Sequence, residues 1–180
     1  MKSLKRLLQQ MQLLLFRSSK KYKNQNSPFN ICDKIQTVRN VLVCFPNDAA
    51  AQSAAVDALG DLRRSFPKWQ ISLILSERST LTGLHNLMLL AYSEKQLTYY
   101  DSPKKSLVEN LRKSKFDLTI DFSSEYNFTN LALAWKSGAD LRFGFYHPTR
   151  EDFYNFLLRQ RADADPVHAC QSLVKTIRSL

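Results

Sequence analysis

The sequence predicts an α/β fold: one domain built on a mostly parallel sheet, preceded by an amphipathic helix. Three observations carry this. Short apolar runs alternate with helix-length segments along most of the chain. The stretch 116–145, FDLTIDFSSEYNFTNLALAWKSGADLRFGF, holds a complete strand–turn–helix–strand unit. The chain has 180 residues, 44% hydrophobic and 23% charged, which suits one domain with a core on both faces of a sheet.

The elements follow in order. Leu4, Leu7, Leu8, Met11, Leu14 and Leu15 recur at spacings of three and four, so residues 2–19 read as a helix with a leucine stripe. Lys2, Lys5, Arg6, Gln9, Gln10 and Gln12 take its other face. The helix and its basic tail occupy residues 1–24, a linker 25–37, and the domain 38–180. Val41–Phe45 is a buried strand closed by Pro46-Asn47-Asp48, and a helix over 49–65 stops before Pro67. Strands at 71–75 and 97–100 flank a helix over 81–92; Tyr99 and Tyr100 pack in the second of these strands. A helix over 103–113 starts with Pro in its first turn. The strand ending at Asp121, the helix from Asn127 to Ser137 stopped by Gly138, and the run ending RFGF form the unit quoted above. A short amphipathic helix over 150–161 carries Phe153, Phe156 and Leu157, and Asp165 caps a last helix over 166–179. Right-handed crossovers between parallel strands make the domain Rossmann-like.

Charge is unevenly placed. The net charge is +10, but residues 1–40 hold nine Lys/Arg against Asp33 alone, so the body is nearly neutral. A leucine stripe followed by Lys20, Lys21 and Lys23 matches a helix lying on an anionic membrane surface. The alternative is that the stripe packs on the body or on a partner helix. The membrane-contact candidates are Leu4, Lys5, Leu7, Leu8, Met11, Leu14, Leu15, Lys20, Lys21 and Lys23. Nucleic acid is disfavoured, because the basic arm lacks interleaved aromatics and no recognition motif is present. Gln9, Gln10 and Gln12 interrupt the apolar N-terminus and no small-x-small site follows, so secretion is not expected. No apolar run reaches the length of a membrane span.

Cys32, Cys44 and Cys170 are odd in number and far apart, and no Cys/His spacing points to a metal. Cys44 reads as a buried reduced thiol, and the reducing cytoplasm is the expected compartment. Four glycines largely exclude Gly-rich phosphate loops, and no cofactor is expected. His85, His147 and His168 stand apart from any paired carboxylate. Ligands of such folds bind beyond the carboxyl ends of the strands. That puts Asn47, Asp48, Asp101, the pair Glu77-Arg78, Ser123, Ser124, Glu125, Tyr126, Tyr146 and His147 under inspection. Asp121 ends a strand, where it either bonds neighbouring backbone N–H groups or meets a ligand.

VRNVLVCF, a helix ending DLRRSFP, then WQISLIL, FDLTIDFSS, SGADLRFGF and DPVHACQSLVKTIRSL resemble, in order, the N-terminal half of family 9 glycosyltransferases. These are the bacterial heptosyltransferases of lipopolysaccharide core assembly, and the resemblance covers about residues 38–180. It implies a GT-B half: the acceptor-side domain of a two-domain enzyme whose other domain holds a nucleotide-sugar donor. The family places a Gly-Asp pair after the first strand, the Asp being the general base. Here that place falls on Ala50-Ala51, which cannot take a proton. Asp48 lies just before it and reads either as a substitute in a rebuilt loop or as the cap of the 49–65 helix. Ser123-Ser124 stand where the family often has Gln-Gly.

The resemblance therefore implies a heptosyltransferase-like, non-catalytic single-domain protein without the donor domain. Its expected place is cell-envelope glycan assembly at the inner membrane surface, with a lipid-linked saccharide as partner. The alternatives are the acceptor-binding half of a split transferase whose donor domain is a separate protein, and an unrelated Rossmann-like binding module.

Overall fold

The computed structural model describes residues 2–19, 29–79, 87–160 and 165–180. Its elements are α1 (Lys2–Ser18), α2 (Ile31–Thr37), β1 (Asn40–Cys44), α3 (Ala49–Ser65), β2 (Gln70–Ser76), β3 (Met88–Tyr92), α4 (Lys105–Lys113), β4 (Leu118–Asp121), α5 (Phe128–Ser137), β5 (Leu141–Phe145), β6 (Phe156–Leu158) and α6 (Pro166–Arg178). The six strands form one sheet in the order β3-β2-β1-β4-β5-β6, and every neighbouring pair is parallel. The chain winds outward from β1 to β3, returns to β4 beside β1, and continues to β6. The order thus reverses between β1 and β4, which opens a crevice at their carboxyl ends.

The central strands are apolar on both faces, as a covered parallel sheet requires. Val41, Val43 and Phe45 point to the side covered by α2, α3 and α6. Leu42 and Cys44 point to the other side, under α4 and α5. Helix α1 forms a further layer beside α5, seating Leu13 and Phe16 among Trp135, Phe153 and Tyr154.

Side chains at the helix ends explain the boundaries. Asp48, Asn127 and Asp165 each accept a backbone N–H of the first turn, from Ala51, Asn130 and His168. Gly138, at φ 93°, ends α5 in the left-handed conformation that side chains disfavour. The carboxylate of Asp117 accepts the N–H groups of Arg39 and Asn40 at 2.9 and 2.8 Å, pinning β1 beside β4 where both begin.

Four expectations are corrected. Met88–Tyr92, assigned to a helix over 81–92, is strand β3, paired in parallel with β2; residues 80–86 lie outside the described residues. Apolar residues at an edge strand also satisfy a helical period, and pairing with β2 decides between the two. Residues 97–100 are a loop and not a strand: Leu97 makes a single bridge to Pro103, and Asp101 sits at φ 64°. Tyr99 in this loop is exposed. Residues 150–160 hold the end of a short 3₁₀ turn (Pro148–Arg150) and β6 in place of a helix, and residue 161 lies outside the described residues. Asn155 causes this: its backbone N–H donates to Arg142 O and its side chain accepts Arg142 N–H, at 2.9 and 2.8 Å, hooking the chain alongside β5. Finally, residues 31–37, assigned to the linker, form α2, capped by Asn30 and anchored by buried Ile35.

Candidate functional site

A cleft of about 840 Å³ opens at the carboxyl ends of β1, β2, β3 and β4. The turn after β1 contributes Asn47 and Asp48, and the turn after β4 contributes Ser123, Ser124, Glu125 and Tyr126. Arg78, Tyr92, Glu94 and Asp101 close the side formed by β2, β3 and the following loop, and Gln9 reaches in from α1. Four carboxylates line this cleft: Asp48, Glu94, Asp101 and Glu125. Arg78 is tied to Glu94 at 2.9 Å, and Lys5 to Asp101 at 2.6 Å. The cleft is therefore polar and acidic in balance.

Asp48 is committed as the N-cap of α3, its Oδ1 accepting Ala51 N–H at 2.9 Å. Asn47 bonds the hydroxyl of Tyr92, whose burial pushes it up to about 12. Burial likewise raises Tyr126 to about 12, against the opposing effect of Arg150. Tyr126 is backed by the ring of His147, stacked at 4.7 Å and 26°. Burial, then the charge of Arg150, lowers the His147 imidazolium pKa, so the ring stays neutral to lower pH than usual. Tyr146 and His147 stand behind the cleft: the guanidinium of Arg159 lies 4.4 Å over the Tyr146 ring.

Asp121 lies beneath the cleft floor, completely buried. Its Oδ1 accepts Ser123 N–H at 2.9 Å, and its Oδ2 accepts the Tyr154 hydroxyl at 2.9 Å and faces Arg150 at 3.3 Å. Arg150, also fully buried, donates to the carbonyls of Ser123, Phe145 and Glu125. Asn130 adds bonds to Ser123 Oγ and Phe45 O at 2.7 and 2.9 Å. These groups hold the turn 123–126 in shape, and Asp121 orients that turn without facing the cleft. Gly144 leaves room for this arrangement: a Cβ there would stand 3.1 Å from the Tyr154 ring. The thiol of Cys44 is buried and pushed well up by burial and by Asp121. Arg150, Tyr154 and Asn130 were missed in the sequence, because a buried arginine and a surface one read alike until the fold is known. Gln9, Tyr92 and Glu94 were missed for the same reason; only tertiary contacts bring α1 and β3 to the cleft.

Helix α1 docks through the face opposite its leucine stripe, with Leu13 and Phe16 as its apolar anchors. Gln9 Nε2 donates to Tyr100 O at 3.1 Å, and Arg17 pairs with Asp152. Lys5, expected at a membrane, is drawn inward to Asp101 because the 98–102 loop presents a carboxylate there. The leucine stripe does not pack on the body: Leu4, Leu7, Met11, Leu14 and Leu15 are each 53–68% exposed, while Leu8 is half-buried. Lys20, Lys21, Lys23 and His85 lie outside the described residues. His168 sits exposed at the start of α6. Among the described residues no group of three or more His, Cys, Asp and Glu is arranged to hold a metal, and no helix is long and apolar enough to cross a membrane.

The fold is that of part of a family 9 glycosyltransferase. The glycosyl transferase family 9 structure from Veillonella parvula DSM 2008 superposes with TM-score 0.62 at 18% identity, over 77% of this chain and 41% of that one. The E. coli ADP-heptose lps heptosyltransferase II superposes with TM-score 0.59 at 16% identity, over 75% of this chain and 40% of that one. The chain spans about two-fifths of the length of either, and at these identities the likeness is one of fold. By sequence, the chain belongs to DUF6913, a family of unknown function whose model spans residues 11–180. No curated protein matches it.

Proposed function

We propose that this protein is a glycosyltransferase-like binding domain that holds a saccharide in the cleft at the carboxyl ends of β1–β4 and does not itself transfer sugar. The reading rests above all on the first turn of α3. The resemblance to family 9 puts the general base at the position of Ala51, and the carboxylate that is present, Asp48, is engaged as a helix cap. The cleft suits a saccharide: the half-buried Tyr126 ring offers an apolar platform, and carboxylates and hydroxyls surround it. Its acidic balance favours an uncharged or amino-bearing sugar over a phosphorylated one. Cell-envelope glycan assembly at the inner membrane surface is the setting the family likeness suggests.

The test is direct. Purified protein is titrated with neutral, amino and phosphorylated saccharides by NMR, then assayed for transfer with ADP-heptose and other sugar nucleotides. The expected result is shifts confined to the cleft and no turnover. Turnover lost in Asp48→Asn would sink the non-catalytic reading, because Asn keeps a cap acceptor but takes no proton. Turnover that requires a second, donor-binding protein would favour a split enzyme.

A further inference from the structure

We infer that the outward leucine face of α1 is a docking surface for an anionic lipid bilayer, and that its inward face ties this attachment to the rim of the cleft. The inference deepens the proposed function and rests on it only for the use made of the cleft. The helix has two nearly opposite faces. Lys5, Gln9, Leu13 and Phe16 fix one face to the body. That docking fixes the rotation of the helix and leaves Leu4, Leu7, Met11, Leu14 and Leu15 pointing away, each more than half exposed. Contiguous exposed apolar side chains held on a docked helix mark an interaction surface.

Charge selects the occupant. Residues 1–40 carry nine Lys/Arg against one Asp; Lys5, Arg17 and Lys34 pair with carboxylates of the body, which leaves the excess on Lys2, Arg6, Lys20, Lys21, Lys23 and Arg39, and Arg6 lies exposed on α1. Two copies meeting through this face would bring two such arms together and repel. A bilayer with acidic headgroups attracts the arm, while the leucines enter the acyl boundary. At 17 residues α1 is about 25 Å long, enough to lie in the interface plane. Its opposite side grips the 98–102 loop, whose Asp101 lines the cleft. The rim of the cleft thus stands roughly one helix diameter, about 10 Å, from the surface. A lipid-linked saccharide is the form of ligand that such a placement reaches.

Flotation of the full chain with vesicles tests this, comparing phosphatidylcholine alone with phosphatidylcholine containing about 30% phosphatidylglycerol. The wild type should float with the acidic vesicles and lose binding in high salt. The variant carrying Leu7→Gln, Leu14→Gln and Leu15→Gln should bind at least about 10-fold less, with an unchanged melting temperature because these side chains support nothing in the body. Absence of wild-type flotation, or equal flotation of the variant, overturns the inference. So does a dimer, seen by sedimentation, that the variant dissolves and that acidic vesicles leave intact. Saccharide titration in solution is a separate measurement, so the cleft reading can fail while this one stands.

Discussion

Asp121 and Arg150 show how much one buried pair decides. Each is fully buried: Asp121 accepts from Ser123 and Tyr154, and Arg150 donates through its terminal nitrogens to the carbonyls of Ser123, Glu125 and Phe145, leaving its Nε without a partner. Removing one partner leaves the other charge uncompensated, so Arg150→Met should destabilise by about 3–5 kcal/mol in urea unfolding. Tyr154→Phe removes only the hydroxyl bonded to Asp121, and about 1.5–3 kcal/mol is expected. Gly144→Ala sets a methyl 3.1 Å from the Tyr154 ring and should cost about 1–3 kcal/mol by forcing that ring aside. If these variants unfold like the wild type, the turn 123–126 is not held as described. At this scale the sequence was legible where a side chain acts on its own neighbours: Asp48 and Asp165 cap the helices that follow them, while Asn127, read as the first residue of its helix, is that helix's cap. It was silent on Arg150, whose partners stand five, 25, 27 and 29 positions away.

Among the elements, α1 and α3 make separable predictions. Asp48→Ala should cost about 1 kcal/mol through the lost cap of α3, and Asp48→Asn much less. Phe16→Ala removes a ring set edge-on to Phe153 at 6.2 Å and tilted against Trp135 at 6.1 Å. It should release α1 alone: hydrogen exchange should rise in residues 2–18 and stay slow in β1 and β4. Rapid exchange throughout would mean that α1 is part of the cooperative core. The helices with strong local signals were legible, as were the central strands with buried runs. The edge of the sheet was not. β3 and β6 are short, partly exposed strands whose apolar residues fit a helical spacing as well, and only pairing with β2 and β5 settles them. The leucine stripe of α1 was legible too, but which face would meet the body was not.

For the molecule as a whole, the cleft carries a pH signature. Tyr92 and Tyr126 both stand near 12 in the fold, raised first by burial. A raised folded-state value means the protonated form is favoured on folding. The stability tied to these phenols is complete below pH about 10 and is lost as pH rises through about 12. Alkaline titration followed by near-UV absorbance should show three late-ionising tyrosines, because burial and then Asp121 hold Tyr154 well above its ordinary value as well, with unfolding accelerating across that window. Tyr126→Phe should remove one of them; ionisation of all tyrosines near 10 would contradict the burial described here. The sequence by itself determined the parallel α/β fold, the caps, the basic arm and the turns on which a ligand would sit. Those features depend on residues close together in the chain. Tertiary structure alone decided that α1 docks by the face opposite its leucine stripe and shows its leucines, that Asp121 lies under the cleft floor, and that Gln9, Tyr92 and Glu94 reach the cleft. The physical reason is that burial and ion pairing join residues distant in sequence, and local pattern carries no record of them.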